Sequence, residues 1–154
     1  MSSNLFDLTN KVALITGSSK GIGRAIAEEM ARQGAQVVSS SRKADACQEV
    51  ADAINAEAKA ADNASGEAIV IPAHVGQREA LQHLVDETRA RLGQIDILVC
   101  NAAVNPFYGS MQELPDDAMD KILGINIKSN HWLVNMVLPE MIERKDGSII
   151  IVSS

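Results

Sequence analysis

The sequence predicts an α/β protein, a doubly wound parallel sheet with strand order 3-2-1-4-5 that is truncated after its fifth strand. Three observations predict it. Short apolar runs alternate along the chain with segments of helical period, β-α-β-α-β-α-β-α-β, and strands separated by helices call for parallel pairing with helices on both faces. The runs are apolar throughout rather than alternating, as doubly covered strands are. A glycine-rich turn joins the first run to the first helix, at the carboxyl edge where open α/β sheets hold ligands. The 154 residues suffice for one domain, 1–154, with a real core.

The elements follow in order. "KVALIT" (11–16) is a β-branched apolar run that ends before Gly17. Residues 21–34 switch to helical period, with Ile22, Ala25, Ile26 and Met30 expected on one face and Gly34 as a stop. Residues 35–40 read as the second strand, and 44–61, rich in alanine with interspersed acids, as a helix by propensity. "ADNASGE" (61–67) is a turn, and "AIVIPA" (68–73) a third strand. Residues 78–93 are amphipathic, with Leu81, Leu84, Val85 and Leu92 on one side and Gly93 at the end. "IDILVC" (95–100) is the fourth strand, and 101–115 a long loop holding the single tyrosine, Tyr108. From Asp116 to about Arg144 the pattern is helical, with Gly124 and Pro139 marking bends. "SIIIVS" (148–153) is the fifth strand. A (β/α)₈ barrel would need about 250 residues. A flavodoxin-like sheet shares the element order and is the structural alternative.

Composition narrows the function. The net charge of −6 and pI near 5.0 argue against nucleic acid or an anionic membrane as the main partner, while leaving room for a local basic site. The two cysteines, Cys47 and Cys100, are far apart and form no metal-binding or disulfide pattern. Cys100 closes an apolar run and reads as a buried core thiol. His74, His83 and His131 show no ligand spacing, so no metal is expected. No run approaches the roughly 18 apolar residues of a membrane span, and "MSSNLFDLTN" lacks the features of a signal peptide. The expected setting is intracellular, cytoplasm or an organelle matrix. A peroxisomal signal would stand at a true C-terminus and is left open.

"TGSSKGIG", Thr16 to Gly23, carries the strongest chemistry. A dinucleotide pyrophosphate needs unpaired backbone N–H groups at a helix N-terminus and little side-chain bulk. Gly17 permits a tight turn, Gly21 lets the backbone approach phosphate, and Gly23 lets helix and strand pack closely. Ser19, Lys20 and Ile22 complete the candidate contact set. At the end of the second strand, an acid would bind both ribose hydroxyls and repel a 2′-phosphate. Here Ser41 stands in that place, followed by Arg42 and Lys43. Arginine grips a phosphate bidentately and lysine adds a point charge. This favours NADP over NAD, although Arg42 and Lys43 also suit solvated charges opening the next helix.

At these residues the sequence resembles the short-chain dehydrogenase/reductase family, a Rossmann fold, over nearly its whole length. "TGSSKGIG" matches that family's cofactor loop. "IDILVCNAA" (95–103) matches its fourth-strand motif, with Cys100 in place of the first asparagine, Ala103 in place of the glycine, and Asn101 and Ala102 retained. His74 stands where the family often carries an adenine-contacting aspartate, so the backbone or Val75 is left to meet the ring. "NPFYG" and "SSRK" resemble the NADP-dependent carbonyl and retinal reductase branch. The resemblance implies that the backbone of Asn126 holds a water of the proton relay, and that the Ser154 hydroxyl binds a substrate carbonyl. It also implies an alcohol or carbonyl substrate, and a homo-oligomer, dimer or tetramer, in the complete form.

One part of the pattern is absent. The family's catalytic tyrosine and the lysine four residues after it belong to a helix beyond the fifth strand. Tyr108 is no substitute, since Gln112 occupies its fourth following position. Loss of such acid–base help is worth roughly 10²–10⁴-fold. The fifth strand is expected as an exposed apolar edge, and the helix bearing Ile125, Leu133, Val137 and Met141 is expected to lack its neighbour. The chain is therefore read as the N-terminal cofactor-binding part of a longer reductase, inactive alone. A non-catalytic nucleotide-binding module, or a fragment completed by another chain, are the alternatives.

Overall fold

A computed structural model describes residues 5–61 and 66–153 of the chain. The order is β1 (Val12–Thr16), α1 (Gly21–Arg32), β2 (Gln36–Ser40), α2 (Ala44–Ala60), β3 (Ala68–Val70), α3 (Arg78–Leu92), β4 (Ile97–Cys100), α4 (Asp116–Ile122), a π-helical segment (Leu123–Lys128), α5 (Ser129–Arg144) and β5 (Ser148–Ile151). The strands form one parallel sheet in the order β3-β2-β1-β4-β5. This is the doubly wound order expected from the element sequence.

Strand periodicity divides the core into two layers. Ala13, Ile15, Val37, Ile97 and Val99 face α1 and α2, packing on Ala27, Ala31, Val50, Ala51 and Ile54. Leu14, Val38, Leu98 and Cys100 face α3 and α5, packing on Leu81, Leu84, Val85, Leu133, Val137 and Met141. Successive strand residues point to opposite faces, so an uninterrupted apolar run feeds both layers. Each fully buried Leu, Ile or Val contributes on the order of 1.5–3 kcal/mol.

Three expectations need correcting. The buried face of α1 is Gly23, Ala27 and Ala31, while Ile22 is 64 % exposed, Ala25 is exposed, and Ile26 and Met30 lie at the flank. Small residues win because this helix must approach the sheet closely. β3 ends at Val70 rather than at residue 73. Pro72 has no N–H to give the ladder, although Ile71 and Ala73 still donate to the carbonyls of Ser39 and Ser41 at 3.2 and 3.1 Å. Ile125, Leu133, Val137 and Met141 do not lack neighbours: all four are buried, the last three against α3 and the sheet. The exposed large apolar residues of this helical stretch are Met119, Leu123, Ile127, Leu138 and Ile142. The apolar edge at β5 is as expected, with Ile150 and Ile151 at 41 % and 54 % exposure.

Polar side chains brace the framework where the sheet begins. The Asp96 carboxylate, 3 % exposed, accepts the Val12 N–H at 2.8 Å and the Gln94 amide at 2.7 Å, with the Arg144 guanidinium 3.7 Å away. Arg144 also donates to the Ile95 carbonyl at 2.9 Å, tying α5 to the start of β4. Asn55 of α2 clamps Ala68 of β3 through both its N–H and its C=O, at 2.8 and 3.0 Å.

Burial pushes the Cys100 thiol from its ordinary 9.0 up to about 11. The native state therefore holds this proton more tightly than the unfolded chain. Its contribution is fully present below pH 9.0 and is lost as pH rises through about 11. Urea unfolding between about pH 8 and pH 11 should show stability falling by up to about 2 kcal/mol more than in Cys100→Ala. Parallel pH profiles for the two proteins would refute the assignment.

Candidate functional site

The site grows from the carboxyl ends of β1, β2 and β4. The Thr16 hydroxyl accepts the N–H groups of Asn101 and Ala102 at 3.1 and 3.2 Å. The Asn101 side-chain amide donates to the carbonyls of Thr16 and Gly17 at 3.2 and 3.1 Å. The turn after β1 is thus stitched to the turn after β4. On its other side, Gly17 N–H donates to the Ser40 carbonyl at 2.8 Å. Ser18, fully buried, donates to the Ile15 carbonyl at 3.0 Å, accepts the Ser40 N–H at 2.9 Å and lies 3.0 Å from the Ser39 hydroxyl.

The three glycines have separate physical reasons. Gly17 has φ +68°, and a Cβ there would sit 2.8 Å from Ala102 Cα. A Cβ on Gly23 would lie 2.4 Å from the Gly17 carbonyl oxygen and 2.5 Å from the Asn101 amide nitrogen. Gly21 has φ +57° and nothing within 4 Å of its would-be Cβ, so the space over this backbone is open. It opens α1, whose N-cap position, Lys20, is extended, makes no side-chain cap and is followed by no acid in the first turn. The four leading N–H groups of a helix lack intrahelical partners and carry partial positive charge. Ser19, half-buried, and Ile22, exposed, flank this end.

Ser41 follows β2, and its carbonyl accepts the Ala73 N–H at 3.1 Å. Arg42 and Lys43 are exposed beyond it. His74 Nδ1 accepts the Gly76 N–H at 3.0 Å and its carbonyl accepts the Gln77 N–H at 2.9 Å, so this residue shapes the turn into α3. Val75 packs against the core, and Ala103 is exposed after β4. Asn126 joins the cluster through a two-bond clamp on Val104, accepting its N–H at 2.9 Å and donating to its carbonyl at 3.0 Å. Ser154 lies outside the described residues.

Asn126 sits inside the π-helical segment. A π turn shifts the carbonyl ladder and leaves i+4 bonds unmade. Two side chains at the start of α5 take up the slack: Ser129 donates to the Ile125 carbonyl, and Asn130 to the Asn126 carbonyl at 2.8 Å. Gly124 and Asn126 therefore mark a change of helical pitch, and α5 continues through Pro139. With its side chain spent on Val104 and its carbonyl already accepting from Asn130, what Asn126 can offer chemically is the second lone pair of that carbonyl.

Comparison with known proteins decides the family. The family model "short chain dehydrogenase" matches residues 11–154. The chain belongs to the short-chain dehydrogenase family. It is 44% identical over 150 residues to dehydrogenase/reductase SDR family member 4 of Bos taurus, covering 96% of this chain and 50% of that one. A short-chain type dehydrogenase/reductase from Mycobacterium marinum superposes with TM-score 0.86 at 34% identity, over 97% of this chain and 56% of that one. A metagenomic short-chain oxidoreductase crystallised in complex with NADP gives TM-score 0.86 at 32% identity, over 96% of this chain and 63% of that one. The chain spans about half the length of the curated relatives it matches.

Within this family member, sequence reasoning missed Thr16, Ser18 and Asn130. None carries a charge or a distinctive spacing, and each acts only through a partner far along the chain or at a distorted helix. Ser40 is a further buried residue, with a hydroxyl that finds no partner among the described residues. Among those residues no group of His, Cys, Asp or Glu could hold a metal ion, and no helix is long and apolar enough to cross a membrane.

The close approach at Gly23 makes a test. Gly23→Ala should lower unfolding free energy by about 1–3 kcal/mol, because the new methyl strikes backbone and a committed amide. Urea denaturation measures it, and an unchanged midpoint would show that the helix is free to retreat.

Proposed function

We propose that this chain, as a single domain over residues 1–154, holds NADP(H) for an alcohol or carbonyl oxidoreductase. The observation that carries the reading is the uncapped α1 N-terminus at Gly21, open to a pyrophosphate and flanked by Lys20. The fit is to shape and charge together: open space over Gly21, unpaired N–H groups, and no acid in the first turn. Gly17, Ser19, Lys20, Gly21, Ile22 and Gly23 would hold the pyrophosphate. Ser41, Arg42 and Lys43 would face the adenosine ribose, with His74 and Val75 beside the base and Asn101, Ala102 and Ala103 along the nicotinamide half. When bound, the nicotinamide supplies or accepts a hydride at the reacting carbon. Asn126 would hold a relay water on its backbone carbonyl, and Ser154 would donate a hydrogen bond to the substrate oxygen.

Preference for NADP over NAD rests on the residue types after β2. No carboxylate stands at 41–43, and two cations do. The NADP complex of the similar metagenomic oxidoreductase supports the choice. A second copy of the chain is the proposed partner, supported by the exposed Leu123, Ile127, Leu138 and Ile142. A reducing, intracellular compartment fits two buried, unpaired cysteines.

One observation favours a second reading, a binding module without turnover of its own. Tyr108 is the single tyrosine, 87 % exposed, with Gln112 four residues on. Among the described residues no tyrosine is therefore positioned to pass a proton beside the hydride.

Titration calorimetry should show NADPH binding more tightly than NADH. Arg42→Ala should weaken NADPH about tenfold, the loss of one charge-assisted contact, and leave NADH nearly unchanged. Equal affinities in the unaltered chain would remove the role given to Arg42. Turnover of NADPH with a panel of aldehydes and ketones should lie at least about 10²-fold below that of a complete reductase. Comparable rates would overturn the reading of this chain as catalytically silent alone.

A further inference from the structure

The Ser41 hydroxyl is held from two sides. The Lys43 N–H donates to it at 3.0 Å, and the Cys47 thiol donates to it at 3.2 Å. A hydroxyl has two acceptor lone pairs and one proton. Both lone pairs are therefore engaged within the protein. The proton makes only a long approach of 3.4 Å to the Lys43 carbonyl and is free to turn outward. Whatever reaches Ser41 from solvent meets a donor.

We propose that Cys47 is a specificity-positioning residue, whose thiol commits the Ser41 hydroxyl to donating and so favours a ribose 2′-phosphate over a 2′-hydroxyl. The inference rests on the reading above that residues 41–43 face the ribose. A phosphate oxygen is an anionic acceptor, and hydrogen bonds to ionised acceptors are about twice as strong as neutral ones. A carboxylate in the same place would accept from ribose hydroxyls, the opposite polarity. Cys47 is well placed to act indirectly. It is fully buried beneath the loop, and its own N–H is fixed on the Lys43 carbonyl at 3.1 Å. Thiol, hydroxyl and the backbone of Lys43 thus form a closed local network in the first turn of α2, next to Arg42.

The experiment is calorimetry with NADPH and with NADH on the 154-residue chain and its variants. Cys47→Ala should weaken NADPH about three- to tenfold, with NADH changed less than about twofold. Cys47→Ser, which keeps a donor, should restore the preference. On a Ser41→Ala background, Cys47→Ala should add nothing, because its route to the ligand is gone. Should the smaller side chain unfold the protein, Cys47→Val fills similar volume without a donor and takes its place. Equal weakening of both cofactors, or a full effect persisting without Ser41, would make the thiol mere packing and overturn the proposal. A preference for NADPH left intact in Cys47→Ala overturns this inference alone. An unaltered chain with no preference overturns the reading beneath it as well.

Discussion

The structure depends on one close approach. α1 meets the ends of β1 and β4 so tightly that Gly23 has no room for a Cβ beside the Gly17 carbonyl and the Asn101 amide. That contact sets where the helix N-terminus sits relative to the sheet edge. It also selects Gly23, Ala27 and Ala31 as the buried face, against the larger Ile22 and Met30. Hydrophobic burial alone would favour the bulkier stripe. Close packing of backbone on backbone wins because a dense interior rewards many short contacts, and because it brings unpaired N–H groups to the rim of the sheet.

The same turn is over-determined by hydrogen bonds. Thr16, Ser18 and Asn101 connect three strand ends through short polar side chains, all in the low-dielectric edge of the core. Such bonds are worth more there than in water. They also hold Gly17 at positive φ, a conformation with little cost for glycine. Rigidity at this end matters for the proposed phosphate cradle, because a cradle built from backbone cannot adjust by rotating side chains. The opposite rim is braced differently, by the buried Asp96 carboxylate and Arg144. Between the two rims the sheet needs only apolar contacts.

Asn126 shows how a local irregularity serves a site. A residue of poor helix propensity sits where the helix loosens into a π turn, and its side chain reaches across to clamp Val104. The clamp orders the start of the 101–115 loop relative to the sheet. Ser129 and Asn130 satisfy the carbonyls that the pitch change frees. Loop order and helix distortion are therefore coupled at one position.

While the choice of strand order over the flavodoxin-like alternative came from the structure, the sequence by itself determined the element order, the parallel sheet and the glycine turn between β1 and α1. These rest on periodicity and on residues with unusual backbone freedom, which are local properties. It also determined the type of charge after β2, since Ser41, Arg42 and Lys43 are adjacent in the chain. Only the tertiary structure decided which face of α1 is buried, where β3 ends beside Pro72, and that Leu133, Val137 and Met141 have α3 as their neighbour. It alone revealed that Thr16 and Ser18 tie the strand ends together and that the Cys47 thiol bonds the Ser41 hydroxyl. Each of these depends on which distant or unlike group comes within hydrogen-bond or van der Waals reach. A linear pattern records what a residue prefers, whereas packing decides which of its preferences is met.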